Sequence, residues 1–394
     1  MNGNEAVLRK LDLFFIFLRL GLTSFGGPVA HIGYFRDEFV TRCRWFTEDE
    51  YADKVALCQL IPGPASSQIG LLIGFERGGY IGAFLAWLGF TLPSALLLGT
   101  LGISLIHYSE IIPQTVFVLL KSVALAVVLH AVIGMGKTFC TGLLERSLML
   151  STTALMLFFS ATWLAPLAIM LAASVFLLGS KNEVTTQHIQ SKIAWDQSAV
   201  WLVLFVVGLI GFPLAANLFP ELTVLSDFYR SGALVFGGGH VVLPLLADSF
   251  VDTDRMQKDV FLAGYAAAQA VPGPLFTFAS YIGGSVYGNF AGALIATLAI
   301  FAPAVFILFG VYPIWKYIQH RPKVRLAVSG ANAAVVGLLL SVFLSMSFTT
   351  IDSILAGSVF VAFYTLIAAF KWAPWLLVLA SVPLGYIIEV LATG

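Results

Sequence analysis

Cys58-Gln-Leu-Ile-Pro-Gly-Pro64 and Gln269-Ala-Val-Pro-Gly-Pro274 carry one motif, Gln-x-x-Pro-Gly-Pro, at two places 210 residues apart. Each sits inside an apolar run, 57–75 and 261–286, long enough to read as a helix. In a helix interior a proline removes a backbone donor and clashes with the preceding turn, at about 3 kcal/mol, and glycine adds about 1 kcal/mol. Both runs therefore break at these residues. Inside a bilayer the freed backbone groups meet no water, so such a break survives only where it is buried in protein or lines a cavity.

Working outward, two more apolar runs are interrupted. Residues 11–35 break at Phe25-Gly26-Gly27-Pro28, and residues 228–246 break at Phe236-Gly237-Gly238-Gly239, 211 residues later. Arg19 and Gly21 recur at that offset as Arg230 and Gly232. Gly74, Gly78, Gly82, Ala83 and Pro93 recur 210 residues on as Gly284, Gly288, Gly292, Ala293 and Pro303. So constant a spacing over so long a run marks an internal duplication. Gly239 stands where Pro28 would align, so the second element of this type is expected to bend differently. Gly78 with Gly82, and Gly288 with Gly292, read as small-xxx-small pairs for close helix packing.

The 394 residues are 59% apolar and 11% charged, with zero formal net charge, and the mean hydropathy is +0.92. That excludes a soluble globule and a disordered chain, and without a basic surplus it excludes nucleic acid as a partner. Three isolated cysteines, Cys43, Cys58 and Cys140, give no disulfide framework and no thiolate metal site. No metal ligand set, cofactor motif or Walker A sequence is present, so the reading is of a non-enzyme without cofactor, embedded in the lipid bilayer. Nine uninterrupted segments, 80–105, 112–135, 148–163, 164–178, 199–216, 290–311, 326–343, 354–370 and 374–388, are candidate crossings.

The expected fold class is all-α: a polytopic membrane protein of two homologous, inverted-topology repeats, each with two broken or re-entrant helices. Residues 1–179 form the first repeat, 180–196 a polar linker, and 197–394 the second repeat with one extra leading helix. That extra helix puts an odd number of crossings between equivalent positions. With the breaks re-entrant and the N-terminus inside, nearly all loop lysines and arginines fall on the cytoplasmic side and only Arg255 and Lys258 outside, as the positive-inside rule asks.

Three cations remain in apolar sequence, Arg19, Lys121 and Arg230. A cation at membrane depth costs about 2.5 kcal/mol or more and faces a cavity or a partner. Few carboxylates accompany them in the spans, so a positive buried field is expected. Helices restarting after Pro64 and Pro274 present free N–H groups and a positive dipole end. Ser66, Ser67 and Gln68 in the first repeat and Thr277 in the second add side-chain donors, and together these make anion sites. Gln59 and Gln269 read equally as caps on carbonyls freed by the proline or as ligand contacts. His31 and His240 read as hydrogen-bonded or as proton-linked groups. His107 and His130 carry no pattern.

On Gly21-Leu-Thr-Ser-Phe-Gly-Gly-Pro28, Cys58-Gln-Leu-Ile-Pro-Gly-Pro64, Phe236-Gly-Gly-Gly-His240 and Gln269-Ala-Val-Pro-Gly-Pro274, the chain resembles the long, two-repeat form of the chromate ion transporter family. The resemblance implies a multi-pass protein of the bacterial inner membrane that exports chromate and confers chromate resistance, with sulfate as a competing anion. It implies a substrate site at the motif positions: Ser24, Phe25, Gly26 and Gly27; Gln59, Pro62, Gly63 and Pro64; Phe236, Gly237, Gly238 and His240; Gln269, Pro272, Gly273 and Pro274. Ser66, Ser67, Thr277 and the three cations join it from the reading above. Membrane potential, a proton or a counter-anion would supply the energy, a homodimer is compatible with the sequence, and an anion channel on the same scaffold is the alternative.

Overall fold

The computed structural model describes residues 3–108, 112–159, 164–179, 195–236, 239–315 and 322–393. Gly237, Gly238 and nearly all of the linker at 180–196 lie outside the described residues. The first repeat runs through α1 (Gly3–Thr23), α2 (Gly27–Arg36), a π-turn (Asp37–Arg42), α3 (Glu48–Leu60), α4 (Ala65–Tyr108), α5 (Gln114–Phe139), α6 (Leu143–Phe158) and α7 (Leu164–Gly179). The extra helix α8 (Trp195–Leu218) follows. The second repeat comprises α9 (Thr223–Ala233), α10 (Val242–Phe250), α11 (Lys258–Ala270), α12 (Phe278–Tyr287), α13 (Phe290–Val311), α14 (Pro322–Thr350), α15 (Ile354–Ala368) and α16 (Pro374–Thr393). Among the described residues there is no strand.

All four interruptions read from the sequence are breaks between helices. The α3 entry is set by a capping box, in which the Thr47 hydroxyl accepts from the Glu50 N–H and the Glu50 carboxylate accepts from the Thr47 N–H. That backbone donor, with the Thr47 hydroxyl, holds the Glu50 carboxyl below its ordinary range. One expectation changes. Gly78 (φ −147°) and Gly79 (φ 64°) bend α4 into two arms, and Gly288 (φ 67°) makes the matching turn between α12 and α13. Gly78 and Gly288 are thus turn residues, whereas Gly82 and Gly292 do take the close packing, against Gly74 and Gly283. Among the described residues six spans are long and apolar enough to cross a membrane: Ala65–Leu105, Gln114–Phe139, Ser198–Leu218, Phe290–Ile314, Leu326–Phe348 and Pro374–Leu391. The other three sequence candidates fall on α6, α7 and α15, which have 16, 16 and 15 residues.

The repeats interlock rather than sit side by side. α6 and α7 of the first pack on α14 of the second, and α15 and α16 of the second pack on α5 of the first. α5 and α14 also touch each other, which makes them the central posts. Their middles, residues 123–128 and 333–339, are accordingly buried on every side. α1 crosses the second arm of α4 at Gly21, where an added Cβ would meet the Phe90 carbonyl at 2.7 Å. α9 crosses α13 at Gly232, where a Cβ would collide with the Ile300 carbonyl, the equivalent position.

The two ends of the bundle differ in which hairpin opens there. Trp315, beyond the end of α13, donates to Asp53 of α3 (2.9 Å), and Tyr312 donates to Glu76 of α4 (2.8 Å). At the other end Lys121, near the start of α5, pairs with Asp259 of α11 (3.0 Å). There too Lys258 donates to the Ser345 carbonyl of α14 (3.3 Å), and Thr115 bonds Glu389.

Candidate functional site

Each Pro-Gly-Pro loop is closed by the opposite repeat. The Gly63 N–H donates to the Val235 carbonyl (2.7 Å), and the Gly273 N–H donates to the Ser24 carbonyl (3.0 Å). Ser24 and Val235 are equivalent residues, each the last before a Phe-Gly-Gly break, so the two bonds are reciprocal. They satisfy donors and acceptors that a broken helix would otherwise leave unpaired, at a cost of several kcal/mol each in hydrocarbon. Both loops need glycine: φ is +124° at Gly63 and +106° at Gly273. The Gln68 amide also donates to the Pro62 carbonyl (2.8 Å) and, across the repeats, to the Ala304 carbonyl (3.4 Å). All four interruptions therefore meet.

Against this junction lies a cavity of about 450 Å³. Gly26, Pro28 and Ile32 line it from the first break, and Cys58, Gln59, Ile61, Gly63 and Ala65 from the first Pro-Gly-Pro hairpin. His240 lines it from the second repeat, and His130, Ala131, Gly134, Met135, Thr138 and Phe139 from α5. The first intrahelical bond of α4 is Gln68 N–H to Pro64 carbonyl, so the Ala65, Ser66 and Ser67 N–H groups form the open, positive end of a long helix. Among the described residues the Ser24 and Ser67 hydroxyls and the Gln68 carbonyl oxygen are buried without a partner. Native proteins rarely leave such groups unmatched.

The two histidines near the breaks do different things. His31 is fully buried; its Nε2 lies 3.1 Å from the Ser24 carbonyl and its Nδ1 3.3 Å from Ser66 Oγ. A carbonyl only accepts, so Nε2 donates and Nδ1 accepts from the hydroxyl. His31 thereby ties the first break to the start of α4. His240 Nδ1 lies 2.9 Å from Tyr265 Oη and 3.4 Å from the Gln269 amide nitrogen. The amide only donates, so Nδ1 accepts and Nε2 carries the proton in the neutral ring. Gln59, by contrast, is exposed on the cavity wall.

The second repeat lacks the polar helix start. Where Ala65-Ser66-Ser67-Gln68 stand in the first, Leu275-Phe276-Thr277-Phe278 stand in the second. Thr277 Oγ1 turns back on the Pro274 carbonyl (2.7 Å), and Phe278 packs among Phe261, Tyr265 and Tyr281. Phe25 packs on Trp375, and Phe236 against the large apolar core. Pro62 and Pro272 are parts of the breaks themselves, and Gly27 is the first residue of α2.

The three sequence-stretch cations lie away from the cavity, and each has the acidic or polar partner that the sequence reading did not find. Arg19 pairs with Glu38 (2.5 Å), which also holds Arg42 (3.2 Å). Arg230 bonds Ser249 (3.3 Å) and pairs with Asp227 (3.6 Å), which also holds Arg255 (2.7 Å). Glu38 and Ser249 are equivalent, so the repeated arginine clasps the two arms of each Phe-Gly-Gly hairpin. Lys121 goes to Asp259. The expected positive field of side chains is corrected accordingly: Glu38 and Asp259 sit on neighbouring elements, where helix periodicity gives no hint of them, and Asp227 lies one turn before Arg230 on α9. Conversely His130 and Thr138 reach the cavity without any sequence signal, because α5 is apolar all round.

Helices of membrane-crossing length, with paired interruptions bonded across the repeats beside a cavity, define a multi-pass membrane transporter. The chain belongs to the chromate transporter family, whose profile matches residues 11–178 and 222–386, one match per repeat. It is 27% identical over 390 residues to an uncharacterized transporter of Methanocaldococcus jannaschii, covering 96% of this chain and 94% of that one. It is 28% identical to a probable chromate transport protein of Synechococcus elongatus, covering 84% and 82% of the two chains. It is 27% identical to a chromate transport protein of Pseudomonas aeruginosa, covering 97% and 90%. No solved structure matches.

Proposed function

We propose that this protein is a secondary transporter that exports chromate, a divalent tetrahedral oxyanion, by alternating access of two inverted repeats, and so confers chromate resistance. The observation that carries the reading is the reciprocal closure of the two Pro-Gly-Pro loops beside one cavity, on a chain of this family. The open N-terminus of α4, with the Ser24 and Ser67 hydroxyls near it, supplies the donors for an oxyanion. Gly26, Gly63 and Gln59 bring backbone and amide to the same wall.

The end contacts support inversion. The hairpin of α3 and α4 opens at the end holding Trp315, and that of α11 at the end holding the start of α5; α8 provides the odd crossing. The cavity extends to Thr138 and Phe139, beside Lys137, at the basic end of α5. By the positive-inside rule that end is cytoplasmic, so this conformation faces inward. An inside-negative potential then drives a dianion outward with about 2.3 kcal/mol per charge per 100 mV.

Purified protein in vesicles tests the reading, with chromate, sulfate, molybdate and phosphate compared under imposed pH and voltage gradients. Saturable chromate movement driven outward by an inside-negative potential is the expected result. Large unitary currents would make the same scaffold a channel, and absence of chromate movement would remove the assignment.

A further inference from the structure

The cavity wall carries no lysine or arginine among its described residues, which leaves a dianion without a permanent countercharge. Its titratable side chains are His130, His240 and Cys58. A thiol offers no positive charge, but a protonated imidazole does. His130 projects from α5 with its side chain exposed to the cavity. His240 faces it from the second repeat, with Tyr265 and Gln269 of α11 held against its Nδ1. The nearest charged neighbour along α5, Lys137, borders a separate groove with Cys140 and Arg146.

Resting on the transport reading above, we propose that His130 and His240 form the substrate receptor's switchable countercharge: the oxyanion binds between them when they are protonated. Two protonated rings repel, and a dianion placed between them cancels that repulsion. Two positive rings give the dianion its countercharge in a low-dielectric site, where an unpaired charge is most costly. By linkage, protons and anion then strengthen each other's binding by the same factor. Affinity for the dianion rises as pH falls. His240 accepts at Nδ1 when neutral, so protonating it turns that edge into a donor and displaces the Gln269 amide. Arrival of the anion is thereby coupled to the second Pro-Gly-Pro loop, three residues further on.

The test is chromate flux in proteoliposomes with equal pH on both sides, at about pH 6 and pH 8, comparing each variant with wild type at the same pH so that protonation of the anion itself cancels. His130→Gln is expected to slow flux about tenfold at the lower pH and by less than about twofold at the higher. His130→Lys, which keeps its charge, is expected to raise flux at the higher pH toward the wild-type value at the lower one. Because His130 faces open space, both variants are expected to fold, and His240→Gln provides the independent second arm with the same pH asymmetry. Equal slowing at both pH values, or no effect of either substitution, overturns the proposal while leaving transport intact. Wild-type protein that moves no chromate at either pH overturns the transport reading instead, and this proposal with it.

Discussion

The two Pro-Gly-Pro loops share a sequence, a backbone conformation and a reciprocal hydrogen bond, yet their helix starts differ in chemistry. The first restarts with Ser66-Ser67-Gln68, leaving two side-chain oxygens buried without partners. The second restarts with Phe276-Thr277-Phe278, its one hydroxyl already satisfied by Pro274. Duplication preserved what the closure of the loops requires and let the lining diverge. A twofold scaffold thus carries a one-sided polar site: the first repeat offers donors, and the second offers aromatic packing and a histidine.

The largest expected effect concerns what the loops share. Gly63→Val and Gly273→Val each force a β-branched residue into positive φ, about 1–3 kcal/mol of strain, and drive a side chain into Ala304 or Ser94. Each should cut chromate flux about tenfold or more. A Gly273→Val protein transporting at the wild-type rate would break the equivalence of the two loops.

What differs between the loops should show next. Ser67→Ala removes one donor, about 1 kcal/mol, and is expected to raise the half-saturating chromate concentration about fivefold. Thr277→Val is expected to leave that concentration unchanged while lowering the unfolding midpoint, because the Pro274 carbonyl loses one of its two donors and keeps only the Thr277 N–H. Equal transport defects in both variants would mean that the chemistry is symmetric after all.

The arginine clasps give a smaller effect. Arg19→Gln and Arg230→Gln are expected to lower protein abundance and leave half-saturation unchanged, since both side chains lie away from the cavity. A raised half-saturating concentration at normal abundance would bring the arginines back into the site. Smallest is the Lys121–Asp259 pair, with the carboxylate 47% exposed. Asp259→Asn should cost less than about 1 kcal/mol, and exchange of the two charges should recover part of it; thermal unfolding in detergent reads both.

The sequence alone carried the duplication, all four breaks and six of the nine candidate crossings, because proline and glycine act locally and bilayer length is a one-dimensional constraint. The family followed from the same motifs. It missed the turns at Gly78 and Gly288, since a glycine in an apolar run looks alike whether it packs or bends. It did not find the partners of Arg19 and Lys121, because Glu38 and Asp259 become their neighbours only when hairpins and posts assemble, and it passed over Asp227, one turn from Arg230 on the same helix. His130 was illegible for the opposite reason. On a helix apolar on every face, no pattern separates the side toward protein from the side toward a chamber. Local chain chemistry fixed where the helices stop; only the interlocking of the two repeats, through Gly63 with Val235 and Gly273 with Ser24, decided that those stops face one another.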